Sequence, residues 1–131
     1  MITEDYVSFE TAKLLKDKGF CEPCFAYYSE YVDNWRTFKI WKRYPKTYDT
    51  VRNDGYVLVP TLQMAMKWLR EVHKIHIDTV FLGPSLKWTP TIWKIDVTIP
   101  ESKHIKSTLN TWESYEDACE AAIKYCIEKL I

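Results

Sequence analysis

The chain has 131 residues, 47% of them hydrophobic and 15% aromatic, and its 18 Lys plus Arg are balanced by 18 Asp plus Glu. That length suits one domain with its own core, the aromatic content excludes a disordered chain, and the zero net charge means that any polyanion or anionic membrane would have to be met by a local patch. The opening MITEDYVSFE carries acids rather than an apolar run, and no stretch approaches the roughly 20 apolar residues of a membrane helix. The expectation is therefore a cytoplasmic protein without membrane contact, whose four cysteines stay reduced.

Residues 8 to 18, SFETAKLLKDK, predict a first helix. Ser8 is a strong N-cap, Phe9, Ala12, Leu14 and Leu15 form one apolar stripe, and Gly19 supplies the terminator. Two aromatic and β-branched runs follow, 25 to 32 (FAYYSEYV) and 36 to 44 (RTFKIWKRY), separated by Asp33-Asn34-Trp35, and together they predict a hairpin. In the second run Phe38, Ile40 and Tyr44 share one face, expected to be the buried one. Residues 45 to 60 read as an irregular connection with a turn at Asn53-Asp54-Gly55 and a short extended piece, YVLV.

Residues 61 to 73, TLQMAMKWLREVH, predict the second long helix, with Thr61 at its cap and Leu62, Ala65, Met66, Leu69 and Val72 recurring at helical spacing. A second hairpin is predicted from HIDTVFL (76 to 82), a GPSLK loop and TIWKIDVTI (91 to 99). In its last strand Trp93, Ile95, Val97 and Ile99 alternate with Lys94, Asp96 and Thr98. After a polar link from 100 to 113, Ser114 caps a final helix running to 130, with Asp117 as a short-armed capping-box partner. Its stripe is Tyr115, Cys119, Ala122, Ile123, Cys126 and Leu130.

The resulting order, α-ββ-α-ββ-α, predicts an α+β fold in a single domain over residues 1 to 131. Its expected form is a four-stranded, mainly antiparallel sheet with the helices packed on one face. The opposite face must then be polar or a binding surface.

Cys21 and Cys24 form a C-x-x-C in GFCEPCFAYY. A thioredoxin-like pair opens a helix, whose N-terminus lowers the first thiol's pKa. Here Gly19 ends a helix before Cys21, the chain goes on into a strand, and Glu22 disfavours a thiolate, so redox chemistry is not expected. A structural zinc needs four ligands, and the second pair on offer is His73 and His76. Cys119 and Cys126 lie seven residues apart on one helix, about 10 Å along its axis, too far to share a metal. Zinc held by Cys21, Cys24, His73 and His76 is thus a minority reading, set against two thiols flanking a tight corner. His76 and Asp78 share a strand face, as a base and its orienting acid would, but no nucleophile motif accompanies them. Three scattered glycines form no phosphate loop, and neither catalysis nor a cofactor is expected.

The most suggestive stretch is NWRTFKIWKRYPK, 34 to 46, where Arg36, Lys39, Lys42, Arg43 and Lys46 occur without an acid among Trp35, Phe38, Trp41 and Tyr44. With Phe38, Ile40 and Tyr44 inward, Lys39, Trp41 and Arg43 would stand outward together with Trp35. Such a face can stack bases and neutralise the phosphates of a single strand. Trp, Tyr and Arg equally anchor protein interfaces, and Lys or Arg stems can simply cover Trp rings.

The stretches VSFETAKLLKDKGF, PTLQMAMKWLREVHKIHI and SYEDACEAAIKYCIEKLI resemble a group of short uncharacterised proteins encoded by phages, prophages and mobile elements of Bacteroides-type gut bacteria. The likeness covers both ends and the middle helix and is weaker through residues 29 to 58. It implies a small accessory protein in a bacterial or phage setting, and it brings no functional residues with it. Taken together, the expectation is a non-enzymatic accessory protein that binds a host or phage protein through Trp35, Arg36, Lys39, Trp41 and Arg43. The alternative is a single-stranded nucleic-acid-binding module built on the 35 to 46 strand, and a small zinc-stabilised domain stands third.

Overall fold

A computed structural model describes residues 2–51, 55–95, 103–106 and 110–131. The chain divides into two compact units, residues 1–61 and 62–131. Each unit builds its own three-stranded antiparallel sheet, so the mixed α and β character expected from the sequence holds while the single four-stranded sheet does not form. The reason is that each hairpin recruits a third strand from its own unit.

The first unit comprises α1 (Phe9–Asp17), β1 (Ala26–Ser29), β2 (Lys39–Ile40), α2 (Tyr48–Val51) and β3 (Tyr56–Val59), with strand order β2-β1-β3. The Ser8 hydroxyl accepts a bond from the Thr11 amide at 3.2 Å, which satisfies one of the orphan donors of α1. At the other end Gly19 adopts φ +91°, and the amides of Phe20 and Gly19 donate to the carbonyls of Leu15 and Lys16. This is the Schellman pairing, and its apolar contact falls between two buried residues, Leu15 and Phe20.

The short extended piece YVLV is β3, paired along its whole length with β1. The second aromatic run is much less of a strand than its alternation predicts. It pairs with β1 only at Ala26 with Ile40 and Tyr27 with Lys39, and the Trp41 amide then donates to the Phe25 carbonyl at 2.8 Å. The two chains meet again where Cys24 and Lys46 exchange a pair of 2.9 Å bonds, so residues 42–45 loop out of the ladder. Pro45, which has no amide hydrogen to donate, lies in that excursion. The expected inward face is accordingly open: Phe38, Ile40 and Tyr44 are 38%, 51% and 74% exposed.

The second unit comprises α3 (Leu62–His73), β4 (Ile75–Leu82), β5 (Lys87–Lys94), β6 (Lys103–Lys106) and α4 (Tyr115–Lys129), with strand order β4-β5-β6. Helix α3 passes into β4 through Lys74 at φ +57° and packs on β4 and α4, so it belongs with the second hairpin rather than the first. The core lies between the helices and the strand face carrying Ile75, Ile77 and Ile92. Leu62, Ala65, Met66, Trp68 and Leu69 face it from α3, with Ala122, Ile123 and Cys126 from α4. Val72 is exposed, and Trp68 takes an inward place instead. At the start of α4 the Ser114 hydroxyl accepts the Asp117 amide at 3.0 Å, as its capping sequence predicts.

Strand β5 begins at Lys87, four residues before the position its alternation suggests, and its register with β4 runs unbroken from Leu82 opposite Lys87 to Ile75 opposite Lys94. Pro90 is accommodated because the Trp88 amide points away from β4, to the Trp112 carbonyl. Two residues on, the proline nitrogen faces the same way and removes no β4 bond. The inward residue is Ile92, while Trp93 lies opposite His76 on the other face, the reverse of the expected alternation. Strand β6 falls inside the predicted polar link. Val97, Ile99, Asn53 and Asp54 lie outside the described residues. Among the described residues no helix is long and apolar enough to cross a membrane.

Candidate functional site

Pleat geometry places Tyr27, Tyr56 and Lys39 on one face of the first unit's sheet, because Tyr27 pairs with Lys39 and lies two residues from Ser29, the partner of Tyr56. Trp41, two residues beyond Lys39, joins them. Its indole stacks on the Tyr27 ring with centroids 4.0 Å apart and planes 16° from parallel. Tyr56 leans on both rings, 5.8 Å from Tyr27 and 6.2 Å from Trp41, and Tyr31 continues the cluster at 6.1 Å from Tyr56. The Lys46 ammonium stands 5.0 Å over the Trp41 ring. A 4.0 Å stack leaves no room for an ammonium between the rings, so Lys46 covers the indole face opposite Tyr27. Lys39, Lys42 and Arg43 are exposed.

Trp35 is not part of it. Asp33, Asn34 and Trp35 have φ of 53°, 48° and 72°, a left-handed turn that closes with the Arg36 amide bonded to the Asp33 carbonyl. Asp and Asn tolerate this conformation, whereas for Trp it costs about 1–2 kcal/mol. The turn carries the indole to Phe9 of α1, centroid distance 6.2 Å. There it joins an aromatic run formed by Phe9, Tyr28, Phe38 and Tyr6. Trp35 and Phe9, with Lys13, Lys16, Asp17 and Val57, line a cavity of about 360 Å³. Arg36 is exposed at the end of the turn. The five residues read from the sequence as one patch are therefore divided: Lys39 and Trp41 belong with the Tyr27 cluster, Arg43 lies exposed in the excursion that follows, and Trp35 walls a separate cavity.

Cys24 is buried, and its thiol donates to the Glu22 carbonyl at 3.5 Å. Burial, reinforced by the Glu22 charge, pushes that thiol up to about 12. Cys21 is exposed, and all four cysteines are free. Burial also raises Cys126 to about 12 and raises Cys119, whose sulfur lies 3.3 Å from the Thr79 hydroxyl. In the second unit the His73 ring sits edge-on to Trp68 at 4.6 Å, while His76 and Asp78 share a face of β4 as their spacing predicts. Among the described residues no three His, Cys, Asp or Glu side chains are grouped so as to hold a metal ion.

Tyr27, Tyr31 and Tyr56 are the members of the aromatic cluster that the sequence reading missed. The signal for Tyr56 was its place in the β-branched YVLV run, whose pairing with β1 sets it beside Tyr27. No protein-family model matches the chain, and neither a curated protein nor a solved structure matches it.

Proposed function

We propose that the first unit is a non-enzymatic protein-binding module that docks an acidic surface of its partner on the Tyr27, Trp41 and Tyr56 cluster. The observation that carries this reading is the sandwiching of Trp41 between Tyr27 and Lys46. A platform for nucleobases must offer an open ring face, and Tyr27 occupies one face of this indole while the Lys46 ammonium competes for the ring. The cluster instead sets rigid aromatic rings among cations, the combination of aromatic contact and positive charge found in protein hot spots. Lys39, Lys42, Arg43 and Lys46 come without an acid between them, which favours a partner bearing carboxylates. The resemblance to phage and mobile-element proteins makes a host or phage protein the partner class.

The test is comparative capture followed by direct measurement. The wild-type chain and a Lys39→Glu/Arg43→Glu variant are used to retrieve partners, and each protein lost by the variant is purified and titrated. Direct binding weakened about tenfold or more by the double reversal supports the proposal. A single-stranded oligonucleotide is titrated in parallel. Tight binding to it that falls steeply with salt and vanishes on the same reversal would replace the protein reading with the nucleic-acid one.

A further inference from the structure

The cavity walled by Trp35 is separate from the partner surface and asks for its own ligand. Its apolar side is formed by Phe9, Trp35 and the buried Val57, and its polar rim by Lys13, Lys16 and Asp17, the three of them on one side of α1 with Phe9 at helical spacing. Phe9 and Trp35 are 6.2 Å apart and tilted by 43°, too close to admit a third ring between them, so they make one continuous aromatic wall. Lys16 is already engaged, bonded to the Tyr56 carbonyl at 2.9 Å and placed over the Tyr48 ring. The Lys13 ammonium stands over the Phe9 ring, 5.7 Å from its centroid. Two ammonium groups against one carboxylate leave the rim net positive, and the volume of about 360 Å³ falls within the range of small-molecule sites.

We infer that this cavity binds a small aromatic carboxylate, its ring laid against Trp35 beside Phe9 and its carboxylate held by Lys13. A neutral aromatic would satisfy the wall and leave the positive rim unanswered. A small aliphatic acid would satisfy the rim and forgo the aromatic wall. The left-handed turn at Asp33 to Trp35 has a role in this arrangement, because it turns the indole onto α1 instead of leaving it beside Trp41.

The experiment uses the whole chain and three probes, 2-naphthoate, 2-naphthamide and acetate, followed by amide chemical-shift mapping. A ligand of this size is expected to reach a Kd in the millimolar range or tighter. The expected result is saturable binding of naphthoate, with shifts concentrated at Lys13, Trp35 and Val57, and binding of naphthamide and acetate weaker by about tenfold or more. Lys13→Gln should weaken naphthoate about tenfold while leaving naphthamide unchanged, and this variant sits on an exposed helix position that tolerates change. Trp35→Ala should weaken both aromatic probes. Absence of saturable naphthoate binding, equal binding of naphthoate and naphthamide, or a Lys13→Gln variant with wild-type affinity would each overturn the inference. None of these results bears on the acidic-partner surface, which the Lys39 and Arg43 reversal probes separately.

Discussion

The indole of Trp41 lies on the phenol ring of Tyr27, centroids 4.0 Å apart, and carries the Lys46 ammonium on its other side. The stack thus ties β1 to the residue just beyond β2, and the cation contact ties that residue to Lys46, where the chain pairs again with Cys24. An aromatic pair contributes about 0.5–1.5 kcal/mol and an exposed cation over a ring about 0.5–1 kcal/mol. Trp41→Ala is therefore expected to lose about 1–2 kcal/mol in urea unfolding, and Trp41→Phe, which keeps a stacking ring, less than half of that. If Trp41→Ala unfolds at the wild-type midpoint, the cluster is a surface ornament and its stacking holds nothing.

Gly19 makes a different kind of contribution. It sits at φ +91°, yet a Cβ added there would meet no atom within 4 Å. A substitution is thus sterically free but conformationally strained. Gly19→Ala should cost about 1 kcal/mol through the backbone alone, with an unchanged dependence on denaturant concentration. A D-alanine at the same position, introduced by chemical ligation, should restore or exceed wild-type stability. Equal loss with both enantiomers would show that the Schellman geometry is not what the glycine serves.

The contrast between these two positions explains what was legible in the sequence. Caps and terminators act locally: Ser8, Gly19 and Ser114 each do their work within four residues, and the stripe of Leu62, Ala65, Met66 and Leu69 declares its own helix. The 36 to 44 run failed because its alternation is compatible with a strand while its neighbours are not. A left-handed turn on one side and Pro45 on the other leave only Lys39 and Ile40 in the ladder. The same failure split the predicted patch, since the turn at Asp33 to Trp35 sends one Trp to α1 while Trp41 remains with Tyr27. Strand β5 starts four residues before the alternating run, and Pro90 fits inside it because its nitrogen faces away from β4, a placement that only the pairing reveals. Division into two sheets depends on which third strand each hairpin finds, a long-range choice that periodicity does not encode.

The thiols should fall into two classes. Cys21 is exposed, whereas Cys24, Cys119 and Cys126 are buried, so a bulky thiol reagent at neutral pH should modify one cysteine quickly and three only on unfolding. Two fast thiols would contradict the corner geometry around Cys24. Because burial raises Cys24 and Cys126 from 9.0 to about 12, the folded chain keeps these protons to higher pH than the unfolded chain does. Their contribution to stability is fully present below about pH 9 and is lost as pH rises toward about 12, at up to ~1.4 kcal/mol per pH unit for each thiol. Under reducing conditions Cys126→Ala should show a shallower loss of stability between pH 9 and 11 than the wild type. Parallel curves would mean that the thiol is more solvated than its burial implies.

The β3 edge of the first unit's sheet is covered by side chains, and that cover yields the last prediction. On the β3 edge the outward Leu58 amide donates to the Tyr48 hydroxyl at 2.9 Å, and the Tyr56 carbonyl accepts from Lys16 at 2.9 Å. The Lys16 ammonium also lies over the Tyr48 ring, so the two side chains form one cover over an edge that would otherwise invite another strand. Burial raises the Tyr48 hydroxyl well above its ordinary value, which keeps it neutral across the physiological range. Tyr48→Phe keeps the ring under Lys16 but leaves the buried Leu58 amide without its acceptor, at a cost of about 1–3 kcal/mol. Hydrogen exchange at Leu58 should accelerate accordingly. The uncovered edge should also raise the tendency to self-associate in concentration-dependent light scattering, while Lys16→Met, which removes the other half of the cover, should act in the same direction. A Leu58 amide that exchanges at the wild-type rate in Tyr48→Phe would mean that something other than the phenol protects this edge.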